Sequence, residues 1–106
     1  MNNAPKTPTQ NELKALKALF NAGRYAELER QAQLLLQRHP NSGVAWKILG
    51  TALGIQGKNA VPAMQIAAQL LPGDAEVHNN LGVALRGLGQ LDEAIVCDRR
   101  ALEIKP

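Results

Sequence analysis

His39, His78 and Cys97 are the residues of this chain best suited to nucleophilic, acid–base or metal chemistry. A cysteine nucleophile needs a histidine within hydrogen-bond reach, and a tetrahedral zinc site needs closely spaced nitrogen and sulfur ligands. The three stand in separate stretches without ligand spacing, and Cys97 has no neighbouring histidine in sequence. His39 precedes Pro40 at the end of a helical stretch, where an imidazolium would cap backbone carbonyls. Cys97 reads as a small, partly buried hydrophobe. The expectation is a chain with no catalytic residue, no metal and no cofactor.

Composition narrows the class further. The chain has 106 residues, enough for one modest core, and 45% of them are hydrophobic. Aromatics are limited to Phe20, Tyr25 and Trp46, so alanine and leucine must carry the burial. The formal net charge of +3 comes from charges that alternate in sign, as on a solvated surface. Nucleic-acid binding would need a contiguous basic strip with stacking aromatics, whereas Arg99 and Arg100 are balanced by Asp92, Glu93, Asp98 and Glu103. A lone cysteine excludes an internal disulfide and fits a reducing, cytoplasmic setting. The opening MNNAPKTPTQ lacks the apolar stretch of a signal peptide, and no run approaches the ~20 apolar residues of a membrane span.

The elements that position these residues emerge from self-similarity. Aligned on the HP, LP and KP dipeptides, the chain divides into segments 9–42, 43–74 and 75–106, with periods of 34 and 32 residues. The second segment is shorter in its middle, where GKNA stands against GRYAEL and GQLDEA. Each segment reads as two amphipathic helices joined by a glycine-containing turn. Leu13, Leu16, Leu19 and Phe20 follow helical spacing, as do Leu28, Ala32, Leu35 and Leu36 beyond the turn. Thr9 with Glu12 makes a capping box, while Asp74 and Asn59 are further N-caps. Pro62 sits in a first turn, where its missing N–H costs nothing. Helices are predicted at 10–21, 25–38, 43–56, 60–71, 75–87 and 91–104, behind a disordered lead-in at 1–8.

Small residues recur at equivalent places. Gly50 and Gly82 each follow a leucine inside a helix, at a cost of about 1 kcal/mol against alanine that close packing must offset. Ala60 and Ala67 recur as Ala94 and Ala101, with Trp46, Leu53, Leu85, Ile95 and Leu102 expected to fill the gaps between. His78 takes the place of Trp46, which points to packing rather than chemistry.

The pattern W46-x-x-L49-G50-x-x-L53 and L81-G82-x-x-L85-x-x-x-G89-x-L91-x-x-A94-I95, closing with A101-L102-x-x-x-P106, resembles the tetratricopeptide repeat. The first segment keeps Gly23, Tyr25, Glu27 and Pro40 but has Glu12 and Leu16 where tryptophan and glycine are usual. The phrases LFNAGRYAELE, WKILGTAL and GDAEVHNNLGVALRGLGQLDEAI are similar to the repeat region preceding bacterial O-linked N-acetylglucosamine transferases of the Spindly type. That likeness implies a piece of a longer protein whose glycosyltransferase chemistry lies elsewhere.

The resemblance implies an all-α, right-handed α-α superhelix of three helix-turn-helix repeats, with first helices lining the concave side. Ligand contacts would then come from Lys14, Lys17, Lys47, Thr51, Asn79, Asn80, Val83 and Arg86. Such an amide-rich, basic face suits an extended peptide or an acidic tail, or else it is only a solvated surface. Leu13 and Ile48 stand where a chaperone-tail clamp needs polar residues, and Lys14 and Ile48 interrupt an asparagine ladder. The expected role is a protein-interaction scaffold. Self-association is the alternative, because Leu91, Ile95, Leu102 and Ile104 would leave the last helix with an uncovered apolar face, as is recruitment of substrate to a glycosyltransferase.

Overall fold

The computed structural model describes residues 7–106. Six helices follow one another: α1 (Gln10–Asn21), α2 (Tyr25–Arg38), α3 (Gly43–Ile55), α4 (Val61–Leu70), α5 (Ala75–Gly87) and α6 (Leu91–Ile104). Most of the lead-in expected at 1–8 lies outside the described residues.

Each hairpin is started and turned by local chemistry. The Thr9 hydroxyl accepts from the Glu12 N–H while the Glu12 carboxylate accepts from the Thr9 N–H, closing the expected capping box. Ser42 caps α3 through the Ala45 N–H, and Asp74 caps α5 through the Val77 N–H. Gly23, Gly57 and Gly89 turn the first helix of each unit into the second at φ of 72°, 75° and 75°. At each, the glycine N–H and the one after it reach back to two carbonyls of the last turn, as Gly23 does to Phe20 and Arg24 to Leu19. This is a Schellman motif, and its left-handed residue is open to glycine at no steric penalty.

The expected bounds shift by one residue at three helix ends. α3 closes at Ile55, and α4 runs from Val61 to Leu70. Asn59 is not the N-cap of α4. Its Oδ1 accepts from the Val61 N–H at 3.0 Å, two residues on, and Ala60 occupies the cap without a side-chain bond.

Each helix packs on the next, and first helices also touch one another, α1 on α3 and α3 on α5. Among the described residues no such contact joins α2 to α4 or α4 to α6. The array therefore curves, with α1, α3 and α5 on the inner side. Its core falls in two clusters, one built on Leu28, Leu36, Ala45 and Leu49 and the other on Met64, Val77, Leu81 and Leu85. Trp46 and Leu53 pack against both and join them.

The recurring glycines have a specific neighbour. A Cβ at Gly50 would fall 2.8 Å from Met64 Cε, and one at Gly82 would fall 2.6 Å from Asp98 Oδ1. A second-helix side chain, rather than a second backbone, takes the space. Ile95 and Leu102 do not fill gaps as expected: they are 48% and 63% exposed, because no helix covers α6 as α3 covers α2.

A ring N–H ties each unit to the one before it. Trp46 Nε1 donates to the Pro40 carbonyl at 2.7 Å, and His78 Nε2 lies 2.9 Å from the Pro72 carbonyl, which assigns the proton to Nε2. His78 thus does more than pack. Glu12, at the equivalent place in the first unit, instead pairs with Arg38 across the hairpin. The Thr9 backbone N–H, followed by the Arg38 guanidinium, holds the Glu12 carboxyl at about 2. His39 departs from its expected capping role: it is 5% exposed, and neither ring nitrogen has a partner among the described residues. Its equivalent in the second unit is Leu71, which packs on the second core cluster.

Two outcomes follow from these placements. Because the fold binds ionised Glu12, its contribution is complete above pH 4.5 and fades as the pH falls toward about 2. Glu12→Gln is therefore less stable than the parent at neutral pH, and the difference closes on acidification, as thermal unfolding by circular dichroism will show. His39→Leu removes two unbonded buried nitrogens and raises stability by about 1 kcal/mol in urea titrations.

Candidate peptide-binding groove

On the inner side, α3 and α5 diverge to leave a groove of about 450 Å³ floored by Met64. It is open because Gly50, Gly54 and Gly87 line it without side chains. Thr51 and Ile55 border it from α3, Asn80 and Val83 from α5, and Leu88 from the turn beyond. Ile55, Val83 and Leu88 are 47%, 56% and 49% exposed, an apolar rim that water does not favour.

The polar groups here are few and defined. The Thr51 hydroxyl donates to the Lys47 carbonyl at 2.9 Å and so turns its lone pairs outward as acceptors. Asn80 is half-buried and offers an amide with two donors and an acceptor. A side chain of that kind can meet both the N–H and the C=O of an extended backbone.

Of the eight residues expected to make contacts, the fold brings Thr51, Asn80 and Val83 together in this groove. Lys14 and Lys17 lie on α1, exposed and outside it, and Asn79 is exposed on α5 outside its lining. Lys47 is engaged elsewhere. Its ammonium lies 2.9 Å from Asp74 and 3.4 Å from Glu76, linking the second unit to the cap of the third. Burial works against both charges, yet the Lys47–Asp74 pair prevails, holding the lysine above and the aspartate below their usual ranges. Arg86 is paired with Asp98. Lys58, at the groove's edge, lies 2.8 Å from Glu29, which also accepts from Gln56.

Of the four cations of the anticipated basic face, Lys47 and Arg86 are therefore paired within the array, and Lys14 and Lys17 stay exposed on α1. Sequence reasoning missed Ile55 and Leu88. The signal was available, since both are apolar residues next to the turn at places where the first unit has Asn21 and Ala22. Among the described residues no group of three or more His, Cys, Asp or Glu could hold a metal ion. No helix there is long and apolar enough to cross a membrane.

Residues 75–106, which form the α5–α6 hairpin, match the family model for the tetratricopeptide repeat. The crystal structure of MamA shares the fold with a TM-score of 0.83 at 21% sequence identity, over 95% of this chain and 60% of that one. The chain thus spans about three-fifths of the length of that protein. No curated protein matches the sequence. The fold is that of a tetratricopeptide solenoid of three helix-turn-helix units.

Lys47 is thereby a joint residue rather than a free cation. Lys47→Met lowers stability at neutral pH by about 1 kcal/mol, and the loss shrinks as acid protonates Asp74; urea titrations across the acid range measure it.

Proposed function

We propose that this chain is a protein-interaction scaffold that holds an extended peptide segment in the groove between α3 and α5. Tetratricopeptide repeats generally mediate protein–protein contacts. The observation that carries the reading is the open, glycine-lined groove, with Asn80 and the Thr51 oxygen set among Ile55, Val83 and Leu88. Asn80 pairs with the ligand backbone, while the apolar rim takes a side chain. The helices are fixed by packing on both sides, so little ordering cost falls on the protein.

The charge pairing favours a neutral segment with an apolar anchor over an acidic tail. With Lys47, Lys58 and Arg86 already bound to carboxylates, an incoming carboxylate would have to displace one. Lys14, Lys17 and Asn79 remain as outer contacts for a longer ligand. The setting proposed is the cytoplasm, within a longer protein. Recruitment of substrate to a glycosyltransferase rests on the three sequence phrases, and no feature of the groove adds to it.

Selection from a displayed random-peptide library tests the reading. Binders are expected to carry an apolar residue in a neutral stretch. Asn80→Ala is expected to weaken their binding by about tenfold, and Val83→Glu to abolish it, while Lys17→Ala leaves it within about twofold. Binders that respond to Lys17 but not to Asn80 or Val83 would place the site elsewhere.

A further inference from the structure

The groove between α3 and α5 lies where the first unit keeps two aromatic side chains of its own. Across the turn from α1 to α2, Phe20 and Tyr25 stand edge to face, with ring centroids 5.8 Å apart and planes at 70°. Tyr25 packs against the first core cluster, and Gln56, just beyond α3, donates to its carbonyl at 3.4 Å. The turn end of the first joint is thus occupied by an aromatic pair.

The second unit has neither ring. Gly54 stands at the place of Phe20. The turn after it is two residues shorter, and α4 has 10 residues where α2 has 14. α2 begins two residues after Gly23, whereas α4 begins four residues after Gly57, so the helical turn that carries Tyr25 has no counterpart. On the facing helix Gly87 stands where α3 has Ile55, and the next residue is Leu88 where the first joint has Gln56. Both walls therefore give up a side chain, and a polar residue gives way to an apolar one.

The surface left behind suits a ring. A Cβ at Gly50 would fall 2.9 Å from Met64 Sδ, so a thioether forms the floor, and thioethers make favourable contacts with aromatic rings. Beside Gly54 a Cβ would meet only Ala60, at 3.9 Å, and the space continues above it. The one charged side chain of the lining, Lys58, already lies 2.8 Å from Glu29, so the walls match an uncharged occupant. An aromatic side chain covers such a space with only two torsions to fix.

We infer that the residue anchored in this groove is aromatic, supplied by the bound segment at the place that Phe20 and Tyr25 fill in the first unit. The inference rests on the α3–α5 groove being the peptide site and adds the class of side chain that it selects. Asn80 and the Thr51 oxygen hold the ligand backbone, while the ring lies over Gly54 and Met64 against Ile55 and Leu88. Gly54 is then the specificity-determining residue, because a side chain there takes the space of the ring.

Synthetic peptides taken from the displayed-library selection, titrated against the full chain by fluorescence polarisation, test it. Among binders that lose affinity with Asn80→Ala and Val83→Glu, the anchor is expected to be Phe, Tyr or Trp. Replacing that one residue of the peptide by leucine is expected to weaken binding about tenfold. Gly54→Phe, which restores the side chain of the first unit, is expected to weaken the same peptides by about tenfold or more. Its circular dichroism and thermal unfolding are expected to show a folded chain, since glycine is the poorer helix former. If Gly54→Phe does not fold, the leucine replacement in the peptide decides alone. Groove-dependent binders anchored by Leu, Ile or Val, or a folded Gly54→Phe variant that binds unchanged, would overturn the inference and leave the peptide site standing. Binders indifferent to both Asn80 and Val83 would overturn the two together.

Discussion

The burial of one hairpin's second helix by the first helix of the next governs the rest of this structure. A two-helix unit of this size has apolar residues on more sides than its own partner helix can cover. Leu36 and Val61 are shielded because α3 and α5 arrive from the following unit. Stability in such an array is a chain of nearest-neighbour terms. The joints are therefore where the chain concentrates its specific bonds: the Trp46 and His78 rings on prolyl carbonyls, Lys47 on Asp74, and Glu29 on Lys58 and Gln56.

That concentration has a consequence for the inner surface. Cations that lie close to the groove in sequence are drawn into joint pairs, since a carboxylate a few ångströms away outcompetes solvent for a half-buried ammonium. What remains open in the groove between α3 and α5 is mainly glycine, amide and aliphatic surface. The groove's character is thus set by subtraction: small residues leave a space between α3 and α5, and the joints remove charge from its walls.

The helices, the turns and the translational order were legible in the residues. Glycine at 23, 57 and 89 fixes three Schellman turns, Thr9 with Glu12 fixes the first start, and recurrent small residues fix the hairpin contact. Thr51, Asn80 and Val83 were expected on the inner side from the resemblance to the tetratricopeptide repeat, and they line one groove. Ile55 and Leu88 could be read as apolar residues beside a turn, but that they stay exposed in a groove depends on the packing of α3 against α5, which periodicity does not encode. The burial of His39 was hidden too, since a histidine before proline suits a cap equally well until the neighbouring helix is placed.

By itself the sequence determined the local conformation and the order of the units, because caps, left-handed glycines and helical periodicity act within a few residues of one another. Only the tertiary structure decided the pairing of charges and the exposure of apolar side chains. Lys47 and Asp74, or Glu29 and Lys58, are more than twenty residues apart and meet through the stacking of successive units. Ile95 and Leu102 read as core in the sequence but lie open, because burial is a property of what packs alongside and not of the residue.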